Sequence, residues 1–236
     1  MTEPLVFLPA MMCDARLFGP QIAELSATLA VTVAPITRGD RIEETASGLL
    51  DLLPRRFALA GAGMGGNVAM EILRRAPERV SRLALIATSP LAETPQAAAD
   101  RERQIIAART GRLLEAVRER LPKKGLAPEP TREAVYELVL DMADTLGPEI
   151  FVRQSRALQR RRDQQKTLML CRAPTLVLCG AHDSICPVQR HSFIAELIPF
   201  ARLHVIEHAG HMPSLEAPGE TTEALMRWMQ SPVMAR

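Results

Sequence analysis

Two ionisable side chains, Asp183 and His211, each follow a predicted strand and come after a glycine-rich turn at Gly63. A carboxylate that orients an imidazole prepares that histidine to act as a general base. The turn, residues 61–65 (GAGMG), matches G-x-S-x-G, a motif that presents a nucleophilic serine between a strand and a helix. Because Gly63 occupies the serine position, the sequence predicts an acid–base pair without the usual nucleophile.

The same turn also satisfies the G-x-G-x-x-G pattern of dinucleotide-binding proteins through Gly61, Gly63 and Gly66. Such a site needs an Asp or Glu at the end of the next strand to hold the ribose hydroxyls. The next predicted strand, 82–88, ends at Thr88 and is followed by Ser and Pro, with no carboxylate. We therefore expect neither a nucleotide nor any other bound cofactor.

The acid and the base have alternatives in the same two loops. Asp183 could instead cap the helix predicted to begin near Pro187. His182 and His208 are neighbouring candidates for the base. Cys13 is an alternative nucleophile, although its place in the loop after the first strand is wrong for in-line attack. His182, Asp183, His208 and His211 are better explained as loop residues and as an acid–base pair than as a cluster of metal ligands, so we expect no metal site.

Apolar runs alternate with helical patterns along most of the chain, which indicates parallel strands joined by crossover helices. Such continuous apolar strands favour a sheet that is covered on both faces. The predicted strands are Leu5–Leu8, Ala30–Ala34, Phe57–Ala60, Leu83–Ile86, Thr175–Cys179 and Leu203–Ile206. The predicted helices lie near residues 17–28, 41–53, 64–76, 187–198 and 218–230.

Residues 91–170 interrupt this alternation. They contain no clear strand, and breakers at Pro122, at Pro128 and Pro130, and at Gly147-Pro148 divide them into about four helices. An insertion after the fourth strand would emerge at the carboxyl end of the sheet, where ligands bind, so we interpret it as a helical lid. Its basic stretch, residues 153–162, is either a solvated helix face or a surface that attracts an anionic substrate.

Composition excludes several classes of protein. The 236 residues carry a net charge of +2, which gives no reason to expect nucleic acid as a partner. The first residues lack the pattern of a signal peptide, and no run approaches the roughly 20 apolar residues of a membrane span. The four cysteines lack C-x-x-C spacing and are expected to be reduced. We expect a cytoplasmic protein whose oligomeric state the sequence does not indicate.

The order of elbow, acid and histidine resembles the α/β-hydrolase superfamily over essentially the whole chain, in a compact bacterial lid-bearing form. The resemblance implies an α/β fold, with a mostly parallel sheet flanked by helices, a core of residues 1–90 and 171–236, and a lid of residues 91–170. It also implies that Asp183 is the triad acid and His211 the base. The oxyanion donors would be the backbone N–H groups of Met11 and Met64, although Pro9-Ala10 replaces the usual His-Gly.

Three explanations fit a glycine at position 63. The protein could be an enzyme that uses His211 as a general base towards a small, ester-like carbonyl substrate. It could be a serine hydrolase altered at this one position. It could also be a catalytically inactive pseudo-hydrolase that binds a ligand or a protein. Retention of both Asp183 and His211 favours the first two explanations, since a binding protein has no need of an oriented base.

Overall fold

A six-stranded, all-parallel sheet forms the centre of the protein. The computed structural model describes residues 3–232. The strands are β1 (Leu5–Leu8), β2 (Val31–Val33), β3 (Phe57–Ala62), β4 (Val80–Ile86), β5 (Thr175–Gly180) and β6 (Ala201–Ile206). They lie in the order β2-β1-β3-β4-β5-β6, so the carboxyl ends of β3, β5 and β6 meet at one edge. The predicted α/β class, with a parallel sheet flanked by helices, is confirmed.

Helices cover both faces of the sheet because alternate residues of each strand belong to two separate hydrophobic cores. Leu5 and Phe7 of β1 face one core, and Val6 and Leu8 face the other. The helices of the sheet layers are α1 (Gly19–Leu25), α2 (Ile42–Leu50), α3 (Met64–Arg75), α8 (Val188–Leu197), α9 (Pro213–Glu216) and α10 (Pro218–Met229). The first predicted helix, 17–28, is shorter than expected and follows a 3-10 turn at Ala15–Phe18.

Residues 91–170 contain only helices and a 3-10 turn at Lys123–Gly125. Their helices are α4 (Pro95–Arg109), α5 (Leu113–Arg120), α6 (Arg132–Gln159) and α7 (Gln165–Met169). The left-handed backbone of Gly147, with φ of 81°, bends α6 ahead of Pro148. Within residues 3–232, no helix is both long and apolar enough to cross a membrane.

Candidate active site

Gly63 stands at the sharp turn between β3 and α3, as predicted for the elbow. Its backbone has φ of 50° and ψ of −116°, a region that residues with a side chain rarely adopt. The Gly63 N–H donates to the carbonyl of Ile86 at 2.9 Å, and the Thr88 hydroxyl donates to the Gly63 carbonyl at 2.7 Å. Hydrogen bonds to β4 and to the loop after it therefore fix both sides of the turn.

Close packing accounts for the two glycines that flank the turn. A Cβ atom added at Gly65 would lie 2.1 Å from the carbonyl oxygen of Leu8, and one at Gly61 would lie 2.4 Å from the carbonyl oxygen of Gly65. The start of α3 therefore touches the backbone of the neighbouring strands. Close backbone contact therefore accounts for Gly61 and Gly65, and a Cβ atom at Gly66 would lie 2.6 Å from the Thr88 hydroxyl oxygen.

Asp183 and His211 lie in the loops after the neighbouring strands β5 and β6 and form a hydrogen-bonded pair. His211 Nδ1 is 2.8 Å from Asp183 Oδ2, and the Asp183 side chain is fully buried. The other carboxylate oxygen accepts the N–H groups of Ile185 and Cys186, so Asp183 also organises the loop that leads into α8. With Nδ1–H donated to the carboxylate, His211 Nε2 is free to accept a proton.

The alternative bases and nucleophiles lie in less suitable surroundings. His182 is exposed, and His208 is about half exposed beside Glu220. Burial, aided by Asp14, raises the pKa of the Cys13 thiol to about 12. A neutral, buried thiol is a poor nucleophile. None of these three residues therefore replaces His211 as the base or supplies the nucleophile that Gly63 lacks.

Met11 and Met64 line the same cavity as Gly63 and His211. Neither backbone N–H of the two methionines has a hydrogen-bond acceptor within the described part of the chain. The next N–H in the first loop, that of Met12, donates to the Gln154 side chain at 2.8 Å, and Met12 adopts a positive φ of 56°. Two unused donors at a cavity wall could stabilise a developing oxyanion.

A partly open cavity of about 100 Å³ lies between the carboxyl ends of the strands and the helices of residues 91–170. Apolar side chains of that helical segment form much of its wall: Val117, Leu121, Val139, Phe151 and Leu158. Asp183 does not line it, because His211 stands between the carboxylate and the cavity. The predicted elbow, base and oxyanion residues thus line the same cavity.

Sequence reasoning missed the side chains that hold this site in place. Glu216, in the segment after His211, accepts backbone N–H groups from Ala127, Gly210 and Met212 at 2.6, 3.0 and 2.8 Å. The available signal for Glu216 was its position as a carboxylate between apolar residues shortly after His211. Gln154 gave no signal, since its partner Met12 is 142 positions away.

The buried side chain of His191 in α8 should make the free energy of unfolding depend on pH. Its buried ring accepts the Thr88 N–H at 3.1 Å, and burial lowers its pKa from the ordinary 6.5. Below pH 6.5 the unfolded chain therefore binds a proton that the folded chain does not bind, and stability falls as pH falls. The slope contributed by this one group is at most about 1.4 kcal/mol per pH unit.

Urea unfolding at pH 7.5 and pH 5.5 measures this effect. We expect the free energy of unfolding of the unaltered protein to fall more between the two pH values than that of His191→Gln. Glutamine offers an oxygen to the Thr88 N–H but does not titrate. Equal losses in both proteins would show that His191 does not set this dependence.

Comparisons with known proteins agree with this arrangement. The model of the α/β hydrolase family matches residues 7–224. A pimeloyl-[acyl-carrier protein] methyl ester esterase of Nitrosomonas europaea is 26% identical over 76% of this chain and 73% of its own length. A dihydrolipoyllysine-residue acetyltransferase component of an acetoin cleaving system, from Pseudomonas putida, is 30% identical over 81% of this chain. The match spans 50% of the length of that relative.

Among solved structures, a thermophilic esterase from Thermogutta terrifontis with malate bound has a TM-score of 0.87 and is 25% identical to this chain. The superposition covers 98% of this chain and 90% of the esterase chain. The similarity therefore includes the helical segment as well as the sheet.

Proposed function

Since the chain belongs to the α/β-hydrolase family, we propose that it hydrolyses a small, ester-like carbonyl substrate, with His211 as a general base towards water. The observation that carries this proposal is the 2.8 Å hydrogen bond between His211 and Asp183 beside a cavity at Gly63. His211 is oriented by Asp183 although position 63 has no nucleophilic side chain. Water is then the nucleophile that the site is able to activate.

The proposed reaction follows from the positions of the donors and the base. His211 Nε2 removes a proton from a water molecule beside Gly63, and the water oxygen attacks the substrate carbonyl. The Met11 and Met64 N–H groups stabilise the oxyanion, while Asp183 stabilises the imidazolium. His211 then returns the proton to the leaving group. The base contributes about 10²–10⁴-fold and the oxyanion donors about 10²–10³-fold to the rate.

The residue beside Gly63, Ala10, favours one explanation of the glycine over another. It supports a site that is adapted to glycine rather than a serine hydrolase that was altered at this one position. A Cβ atom added at Gly63 would lie 3.2 Å from the Ala10 Cβ, closer than an ordinary van der Waals contact. The resemblance to hydrolases with His-Gly in place of Pro9-Ala10 implies a glycine at position 10 beside a nucleophilic serine, with no methyl group to meet it. Residues 10 and 63 thus fit each other as they stand.

We further propose that residues 1–90 and 171–236 are the catalytic core and that residues 91–170 act as a lid. Apolar side chains from α5 and α6 cover the cavity opposite the strand ends. A cover of this kind excludes bulk water and strengthens the electrostatic interactions of His211 with the reacting groups. The esterase names of two similar proteins support an ester-like substrate.

The four cysteines support our placement of the protein in the cytoplasm. All four are free thiols, and three of them are buried. Free thiols persist in a reducing compartment.

Pre-steady-state hydrolysis of short p-nitrophenyl esters tests the proposed function. We expect slow, linear release of p-nitrophenol without an initial burst, because residue 63 offers nothing to acylate. Preincubation with a serine-directed fluorophosphonate should leave the rate unchanged. A stoichiometric burst would contradict water attack, and the absence of turnover with every short ester would favour the binding-protein alternative.

A further inference from the structure

Three arginines and one carboxylate form a charged cluster at the wall of the active-site cavity. Glu93 Oε2 accepts from Arg101 Nε at 2.6 Å and from Arg161 Nη1 at 2.7 Å. Arg120, the last residue of α5, lines the cavity together with Arg161. Arg101 and Arg161 share the carboxylate and Arg120 does not contact it, so the three guanidinium groups and one carboxylate have a formal charge of +2.

Arg120 is the guanidinium of this cluster without a partner. Within residues 3–232, its side chain makes no hydrogen bond and no ion pair, whereas Arg161 also donates to the Leu91 carbonyl at 2.9 Å. Arg101 is only 2% exposed, and its Nη2 atom is buried without an acceptor. Buried cationic groups are ordinarily paired. The positive charge at this wall is therefore not neutralised by the protein.

The electrostatic environment agrees with an excess of positive charge. Burial and the nearby Arg120 lower the pKa of Arg101 to about 10, despite the ion pair with Glu93. Burial also lowers the pKa of Arg120. Cys186 lines the same cavity, but burial and Asp183 raise its thiol pKa to about 12, so it is not a thiolate that could balance the arginines.

We propose that Arg120, supported by Arg161, binds a carboxylate of the substrate at this wall of the cavity. Guanidinium groups present paired N–H donors that match the two oxygens of a carboxylate. The substrate class is then a small carboxylic acid that carries a second, ester-like carbonyl. The cavity is otherwise largely apolar, which suits a short hydrocarbon chain between the two groups. Placement of the carbonyl beside Gly63 rests on the proposed function, whereas carboxylate binding does not.

Arg101 and Glu93 have a positioning role in this proposal. Glu93 joins Arg101 to Arg161 through one oxygen atom, and Arg101 Nη1 lies 3.8 Å from the Met11 sulfur. The cluster thereby connects the proposed carboxylate site to the loop that holds Met11, the first proposed oxyanion donor.

Calorimetric titration with matched ligand pairs tests carboxylate binding without requiring turnover. The ligands are succinamate, glutaramate and adipamate, each compared with its neutral diamide of nearly equal size. The proteins are the unaltered chain, Arg120→Gln, Arg120→Lys and the control Arg118→Gln, which removes an exposed charge from the same helix. Because these titrations measure binding without turnover, failure of the proposed hydrolysis would not alter their outcome.

We expect at least one of the three acids to bind about tenfold or more tightly than its diamide. Arg120→Gln should remove this preference, Arg120→Lys should retain part of it, and Arg118→Gln should leave it unchanged. Because Arg120 lacks intramolecular partners, its substitution should not disturb folding. Equal affinities for every acid and its diamide, or equal losses in the Arg118 and Arg120 variants, would overturn the proposal.

Discussion

Replacement of Gly63 by serine is expected to raise hydrolysis of short p-nitrophenyl esters by at least about 10²-fold and to introduce an acyl-enzyme burst. The proposed base His211, hydrogen-bonded to Asp183, and the two methionines whose amides we propose as oxyanion donors line the same cavity as position 63. In a complete triad, removal of the serine lowers the rate by about 10⁶-fold, which sets the upper limit of the gain. The expected gain is smaller because the new side chain meets Ala10.

Ala10→Gly should therefore increase the activity of the serine variant further. The methyl group of Ala10 would lie 3.2 Å from the new Cβ, and its removal lets the hydroxyl approach His211 without displacing the loop. Alone, Ala10→Gly should add no esterase activity, since it supplies no nucleophile. Comparison of the single and double variants thus separates the effect of the Ala10 methyl group from the effect of the missing hydroxyl.

Gly63→Ala is the matched control for these measurements. It has the Cβ and the strained positive φ of the serine variant, which together should destabilise the fold by about 1–3 kcal/mol, but it lacks the hydroxyl. We expect no burst and no fluorophosphonate labelling in Gly63→Ala. Failure of a folded Gly63→Ser, Ala10→Gly protein to exceed Gly63→Ala would refute the triad-like geometry.

Replacement of His211 by alanine should reduce turnover by the unaltered protein about 10²–10⁴-fold, the usual contribution of a positioned general base. The substitution also leaves the Asp183 carboxylate buried without its imidazole partner, so thermal unfolding must confirm that the variant is folded. Initial rates under substrate saturation and at low substrate concentration separate kcat from kcat/KM.

His208→Ala is the control for this variant, because His208 lies on the same loop but is exposed and contacts Glu220. Its turnover should remain within about twofold of the unaltered protein, as expected for a surface change away from the reacting atoms. Turnover that is the same in His211→Ala and His208→Ala would remove the general-base mechanism.

Local patterns predicted the strands best where burial is continuous. β1 and the start of β3 consist of apolar residues in the core, and their bounds follow from the sequence. The predicted start of β4 was three residues too late, because Ser81 and Arg82 look like surface residues. Arg82 is tolerated in the sheet because it pairs with Glu3 at 2.8 Å, a partner that no local pattern identifies.

The helical segment shows the same limit. Gly111, with φ of 82°, separates α4 from α5, although a single glycine in an alanine-rich stretch was not a clear breaker. In the site, Asp183 and His211 could be found because each follows a strand directly. Arg120 could not be found, since its role depends on the distant side chains that share its cavity and fail to neutralise it.

The hydrogen bond between Gln154 and the Met12 N–H has a consequence for evolution by recombination. The Glu216 bond to the Ala127 N–H and the bond from the His211 N–H to the Gly125 carbonyl are two more ties of this kind. Each one joins the helical segment to a region that carries a residue of the proposed acid–base or oxyanion machinery. A helical segment transplanted from a relative would therefore have to bring matching partners for all three bonds. Exchange of this segment as an independent module would disrupt the chemistry as well as the choice of substrate.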